Sequence, residues 1–540
     1  MVSTDGAGVV SHAGTVLLCE AADRFGLTAA FSEATEGLRR RRSGHDPGRV
    51  LVDVAVAIAD GAETISDVQA LADQPDLHGP VASTATIWRV LEGVDAEVLG
   101  RLRSARATAR ERAWAARAEL TGTDLPPARA AGRDLGYAVI DIDATLVTAH
   151  SEKEGAAGNF KGGFGFHPIG AWLDNTGEAL AAILRPGNAG SNTASDHIAV
   201  LDLALAQLPD AHRCKPILVR VDGAGFSHAL IAHLAAAGLQ YSVGFPSTEA
   251  VRAAIGTVPA WVWRPAVDAV GGVRDGADVA EITGLLTLSG WPAGMRVLVR
   301  RERPHPGAQL DAFEEADGYR YQAVCTDTAH GSLQFLEARH RAHARVEDRI
   351  RCGKDTGIGR FPSRQMAINA AWLELSLAAA DLLAWTQTML LDGELAKAEP
   401  KKLRYRLLHT AARITRGQRR IYLRLARSWP WGVGPGPGIH PTPAHPATHL
   451  SDSPYPVKDR WSTRPPRPGT PPCPDHRNIR TRPDQDPRRP PSLLSERPGL
   501  TAMVERAVRA HPTARQRAPG WTLTDGDDPS DAADPTMTTA

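Results

Sequence analysis

The spacing of apolar positions changes several times along the chain, and each change marks an element. Up to about residue 120 the apolar positions keep helical spacing. Val50-Leu-Val-Asp-Val-Ala-Val-Ala-Ile-Ala59 is a buried segment, and Ser83 or Thr84 can cap a helix through Ile87, Val90 and Leu91. Residues 1–125 are therefore predicted to form an all-α amino-terminal domain. From residue 136 strands take over. Gly136-Tyr-Ala-Val-Ile-Asp-Ile-Asp-Ala-Thr-Leu-Val147 reads as one, and 166–173 and 178–184 as two more. These two are joined by the hairpin turn Asp174-Asn-Thr-Gly177, whose Asn and Gly tolerate positive φ. A helix over 196–208, a strand over 216–222, a helix over 227–237 and a strand over 240–245 follow.

Three strands able to pair antiparallel, then helix, strand, helix and strand, is the element order of an RNase H-like core, so the predicted fold class is α/β. Residues 136–249 form the first part of that core. Residues 250–325 interrupt it with β-rich sequence, including Trp261-Val-Trp263, Met295-Arg-Val-Leu-Val-Arg-Arg301 and Tyr319-Arg-Tyr-Gln-Ala-Val324. They are predicted to be an inserted β subdomain. Residues 326–432 complete the core with a charged helix over 334–351, an apolar helix over 365–391 and a basic stretch. The glycine-rich Gly155-Ala-Ala-Gly-Asn-Phe-Lys-Gly-Gly-Phe-Gly165 leads into a strand and not a helix N-terminus, so it reads better as a flexible connection than as a phosphate cradle.

Composition changes this picture mainly at the end, where residues 431–540 hold 22 of the 40 prolines. A segment so poor in apolar periodicity cannot bury a core, and residues 433–540 are expected to be disordered. Its Arg, Pro, Asp and Ser content resembles out-of-frame translation of a GC-rich gene. Elsewhere 42% hydrophobic and 23% charged residues describe an ordinary globular chain, and a formal charge of +1 leaves any nucleic-acid binding to local basic surfaces. Five scattered cysteines without a C-x-x-C pair disfavour a disulfide framework or structural zinc site. The sequence reading expects no membrane span and no signal peptide, and a cytoplasmic protein.

The candidate chemistry lies in three carboxylates. Asp143 sits in the first strand, Asp222 ends Pro216-Ile-Leu-Val-Arg-Val-Asp222, and Glu347 lies on the charged helix. Two or three hard oxygen ligands suffice for magnesium, and two such ions can activate water and stabilise the leaving oxygen in phosphodiester cleavage. Each aspartate alone also fits a turn residue satisfied by backbone donors. Asp141 shares the strand face of Asp143 and is suited to orienting it. Lys354 follows Glu347 by seven positions, about two helical turns, which brings both to one side if the helix continues.

The segments Val139-Ile-Asp-Ile-Asp-Ala-Thr-Leu146, Val219-Arg-Val-Asp-Gly-Ala-Gly-Phe226 and Ala338-Arg-His-Arg-Ala-His-Ala-Arg-Val-Glu-Asp-Arg-Ile-Arg-Cys-Gly-Lys-Asp-Thr-Gly357 resemble the three acidic motifs of DDE transposases from bacterial insertion sequences. Together with Phe361-Pro-Ser363 and Asn369-Ala-Ala-Trp372 they look like the insertion-sequence family numbered thirteen-eighty, over roughly residues 15 to 431. The resemblance implies an enzyme that binds terminal inverted repeats as a homodimer on paired ends. It would cleave and join double-stranded DNA with Asp143, Asp222 and Glu347 holding two Mg²⁺ ions, Mn²⁺ being a possible substitute. Lys354 would hold a phosphate. His340 and His343 stand where the wider superfamily has Tyr and Arg, and are supporting candidates for backbone contact.

Further candidate DNA contacts are Arg404, Arg406, Arg416, Arg419 and Arg420 in the basic stretch 401–427, which also fits a solvated amphipathic helix. The same two readings apply to Arg39–Arg42 and to Arg101, Arg103, Arg106, Arg110 and Arg112. Trp261, Trp263 and Trp291 are candidates either for base stacking or for the core. Two competing functions remain. Asp141-Ile-Asp-Ala-Thr145 matches the D-x-D-x-T signature of haloacid-dehalogenase-like phosphatases, with Asp141 as nucleophile. The other is a transposase-derived DNA-binding protein without activity.

Overall fold

The computed structural model describes residues 6–39, 44–150, 152–417 and 420–431. The proline-rich segment, Arg40, Arg41, Arg42 and Arg419 therefore lie outside the described residues. A nine-stranded sheet runs through the molecule. Its strands in chain order are β1 (Ala138–Ala144), β2 (Ile169–Leu173), β3 (Ala179–Ile183), β4 (Ile217–Val221), β5 (Gln240–Phe245), β6 (Arg264–Val267), β7 (Val273–Glu281), β8 (Arg296–Glu302) and β9 (Arg320–Thr326). Their spatial order is β6-β7-β8-β9-β5-β4-β1-β2-β3. β4 pairs parallel with both β1 and β5, and the remaining neighbours are antiparallel.

Segment 250–325, expected as an inserted subdomain, thus supplies strands that extend this same sheet through the β5–β9 pairing. Alternation along the strands sets the two faces. Ala138, Ile140 and Ile142 pack against Leu201 of helix α3 (Ala194–Leu205) and Leu230 of helix α4 (His228–Ala236). On the opposite face Val139 and Leu218 meet Phe335 and Ala342. The latter residues belong to a helical stretch expected to be continuous. It is divided into α5 (Leu333–Arg341), a 3₁₀ turn over Ala342–Ala344 and α6 (Arg345–Gly353).

The amino-terminal helices do not close a core of their own. Helix α1 (Pro47–Asp60) starts at the Asp46 cap, whose carboxylate accepts from the Arg49 amide at 3.0 Å, and ends at Gly61 with φ 116°. All its residues except Arg49 are buried, so it needs partners on every side. One partner is helix α7 (Met366–Leu390), which shares its hydrophobic cluster. By length and composition α7 could cross a membrane, yet 78% of that stretch is buried in the protein.

Buried ion pairs join these layers. On the long helix α2 (Ala96–Thr121), Arg106 pairs with Glu374 at 2.5 Å, while Arg110 pairs with Asp381 and, at 3.3 Å, with Glu178. Trp114 and Trp385 also donate to Glu178, at 3.0 and 2.6 Å. Arg106 and Arg110 are therefore interior residues and not DNA contacts. The basic stretch after residue 400 also departs from expectation, because Ala412–Gly417 and Arg420–Leu425 pair as a β-hairpin. Ala412, Ile414, Leu423 and Leu425 share one face of this hairpin, an alternation that arginine density obscured.

Candidate active site

Because β1 and β4 are parallel neighbours with Val221 opposite Ile142, Asp143 and Asp222 emerge side by side at the carboxy-terminal ends of these two strands. Each has one oxygen tied to nearby backbone. Asp143 Oδ1 accepts from the Ala144 amide at 2.7 Å, and Asp222 Oδ1 accepts from Ala224 and Gly225 at 3.0 and 3.1 Å. The turn-residue reading and the ligand reading are thus compatible. The Gly223–Gly225 turn fixes Asp222 without using its second oxygen.

Glu347 lies on the exposed side of α6. Its helix is held against the sheet by a buried polar cluster around Asp141. Arg220 donates to both Asp141 oxygens at 2.7 Å, and His343 Nδ1 lies 2.8 Å from Asp141 Oδ1. Arg220 also reaches the Arg339 carbonyl at 3.0 Å and Asp174 at 2.8 Å, and Asp174 is gripped by Arg345. One arginine therefore links β1, β4, the β2–β3 turn and the helix preceding Glu347. Against burial, the Arg220 charge and the hydrogen bonds from His343 and Arg220 hold the Asp141 carboxyl below its usual range.

Asp143 is shifted the other way. Burial first, and then the negative charge of Asp222, push its carboxyl up to about 6, with Glu347 adding in the same sense. Asp143 is thus within electrostatic reach of both Asp222 and Glu347 although the three come from separate parts of the chain. A cluster of unneutralised hard oxygens suits divalent cations. The phosphatase reading fares poorly here, since its nucleophile Asp141 is only 2% exposed and has both oxygens occupied.

Lys354 keeps helical backbone (φ −61°, ψ −37°) after α6 and stays on the same helical path as Glu347. The path then breaks at Thr356 and at Gly357 with φ 84°, where a Cβ would lie 2.3 Å from Ser376 Oγ. Lys354 faces a cleft of about 620 Å³ that also receives Lys153, Arg360 and Lys401. Arg360 is 3.1 Å from Glu63 and Lys401 is 2.8 Å from Asp355, while Lys354 has no ion pair among the described residues.

The other expected contacts divide. His340 sits against Ser242 at 3.1 Å and is pushed down to about 3 by burial and by neighbouring His343 and Arg220. Neither it nor His343 is placed to donate to phosphate, because both rings turn toward the sheet. Arg404 is also turned inward: it is buried and donates to the carbonyls of Ala59 and Asp355. Arg406 pairs with Glu394 at 2.7 Å, and Arg416 pairs with Asp76 at 2.6 Å on the surface. Arg420 is placed on the hairpin by its backbone alone. Of the tryptophans, Trp261 is 75% exposed, Trp263 is buried beneath Arg301, and Trp291 packs at a tilt against Phe226, which lies just beyond Asp222 in the chain.

Sequence reading overlooked Arg220, Asp174 and the cleft residues Lys153 and Arg360. Arg220 did leave a signal. A guanidinium inside the apolar run Ile217–Val221 is rarely buried unless it is paired, most often with a carboxylate.

Residues 1–433 match the family described as Transposase DDE domain group 1. No curated protein matches the chain. A solved structure described as a cryo-EM structure of the piggyBac transposase synaptic complex with hairpin DNA is similar over 73% of this chain and 80% of its own. Identity there is 9% and the TM-score is 0.38. With four-fifths of its length matching the one family, the chain belongs to the DDE transposases.

Proposed function

We propose that the chain is the transposase of a bacterial insertion sequence, binding the element's terminal inverted repeats and cutting and rejoining DNA at Asp143, Asp222 and Glu347. The observation that carries this reading is the placement of Asp143 and Asp222 at the ends of adjacent parallel strands, where burial and then the charges of Asp222 and Glu347 raise the Asp143 carboxyl to about 6. The strand order β3-β2-β1-β4-β5, with β4 and β5 parallel to β1, supports an RNase H-like core. DDE transposases generally use divalent metal ions, and two Mg²⁺, or Mn²⁺ in their place, would activate the attacking water or 3′ hydroxyl and neutralise the leaving oxygen.

The protein's own part is positioning. Asp143 and Asp222 offer oxygens from adjacent strand ends, and the Asp141–Arg220–His343 cluster sets the helix that presents Glu347. Lys354 and its cleft neighbours Lys153, Arg360 and Lys401 would offer phosphate contacts to the duplex, and water-exposed Trp261 is available to stack on an unpaired base. Two copies assembled on paired ends would place one such site at each end.

The test uses the full chain with paired terminal-repeat DNA and Mg²⁺. Specific nicking that disappears in Asp143→Asn supports the proposal. Retention of the DNA without nicking by the wild type would leave only a binder. Hydrolysis of p-nitrophenyl phosphate that depends on Asp141, with no effect on DNA, would restore the phosphatase.

A further inference from the structure

Away from these carboxylates, three segments meet at a second group of metal-ligating side chains. His12 follows a short strand, Val9–Val10, that pairs with Ala412 and Arg413 of the carboxy-terminal hairpin. Asp60 is the last residue of α1, and His409 precedes the hairpin. His12 Nδ1 lies 2.5 Å from Asp60 Oδ2, and His409 Nε2 lies 3.2 Å from Asp60 Oδ1. The ring centroids are 4.3 Å apart. One ligand atom from each residue falls within 4.8 Å of the other two.

Two details ask for something beyond a hydrogen-bonded clasp. Asp60 Oδ1 is buried and has only His409 Nε2 beside it, at 3.2 Å and poorly aligned, because that nitrogen is directed at the Asp60 carbonyl at 2.9 Å. A buried acceptor left in this state is costly unless another group satisfies it. His12 also adopts φ 55°, a left-handed conformation uncommon outside glycine, while its ring is held against Asp60.

We infer that His12, Asp60 and His409 form a binding site for a borderline divalent transition metal of the Zn²⁺ class, separate from the DDE carboxylates. Two imidazoles and a carboxylate are the donors such ions select, whereas Mg²⁺ prefers oxygen alone. Three protein ligands leave a fourth position for water. The His12 and His409 side chains are 27% and 40% exposed, which gives an ion a way in, and Asp60 is 5% exposed, which holds the site rigid. Arg404 already covers the Ala59 carbonyl at this helix end, so attraction for the cation rests on Asp60 and not on the helix dipole. A bound ion would pin the amino-terminal segment and the carboxy-terminal hairpin to the buried helix α1.

The test is titration of chelator-treated full-length protein with Co²⁺, followed by displacement with Zn²⁺. One equivalent should produce the visible d–d absorption of a four-coordinate nitrogen–oxygen site, and excess Mg²⁺ should not remove it. Loss of a group that merely orients a ligand costs about 10–100-fold in metal affinity, so losing a ligand should cost at least tenfold. His12→Ala and His409→Gln should show that loss while keeping the far-ultraviolet circular dichroism of the wild type. Asp143→Asn should retain the band, which separates this site from the proposed catalytic one. Should His12→Ala unfold, the more exposed His409→Gln decides alone. Absence of a Co²⁺ band, or a band unchanged in a folded His409→Gln protein, would overturn the assignment.

Discussion

Arg220 stands opposite Asp141 across the parallel β1–β4 pair and holds both of its carboxylate oxygens at 2.7 Å. Removing one partner of a buried pair leaves an uncompensated charge, which typically costs about 3–5 kcal/mol. Arg220→Ala is therefore expected to lower the urea midpoint by that equivalent and to disturb the helix carrying Glu347. A stability change below about 1 kcal/mol would show that the cluster does not hold the site together.

Asp143 predicts an unusual pH dependence. Its carboxyl titrates near 3.8 ordinarily and at about 6 in the fold, so the folded state binds the proton more tightly. Stability from this group is therefore lost as pH rises from about 3.8 to about 6 and stays lost above it. Without metal, Asp143→Asn should melt higher than the wild type at pH 8, by on the order of 2–4 °C, and little differently at pH 4. Mg²⁺ should raise the wild-type melting temperature at pH 8 more than that of the variant. Equal melting curves at both pH values would contradict the repulsion.

Loss of a metal ligand and loss of a phosphate contact should be separable. Asp143→Asn, Asp222→Asn and Glu347→Gln are each expected to abolish nicking while terminal-repeat binding in a gel-shift assay changes less than about threefold, because base and phosphate contacts remain. Full nicking by any one of them would remove that residue from the site.

Lys354 faces the basic cleft without an ion pair among the described residues. If it neutralises one phosphate, Lys354→Ala should flatten the slope of log affinity against log salt by about 0.9. Arg404→Ala should instead destabilise the fold, since it uncovers the Ala59 and Asp355 carbonyls. An unchanged salt slope for Lys354→Ala would place the DNA elsewhere.

Trp261 and Trp263 are two positions apart and should behave oppositely. Truncating the buried Trp263 is expected to cost about 3–5 kcal/mol in chemical unfolding. Trp261→Ala, at a 75% exposed position, should stay within about 0.5 kcal/mol. If Trp261 stacks on an unpaired base, its removal should also lower 2-aminopurine quenching at the cut end. Quenching unchanged by that variant would eliminate the stacking role.

Much of the candidate site was legible in the linear pattern. Alternation and apolar runs are local properties, so the strand carrying Asp143, the strand ending at Asp222 and β5 at Gln240–Phe245 could be read directly. The three acidic segments also pointed to the DDE transposases, the wider family later matched over residues 1–433. Pairing was not legible, because backbone hydrogen bonds between distant segments carry no side-chain signature. Only the tertiary structure decided that 264–326 extends the central sheet, that α1 is enclosed with α7, and that the arginine-rich end folds into a hairpin. The same limit applies to charge. Whether a carboxylate or guanidinium is a ligand, a buried strut or a solvated surface group depends on what faces it, which is why Asp141 and Arg404 proved to be interior residues while Asp143, at a strand end, keeps its second oxygen outside the hydrogen bond to Ala144.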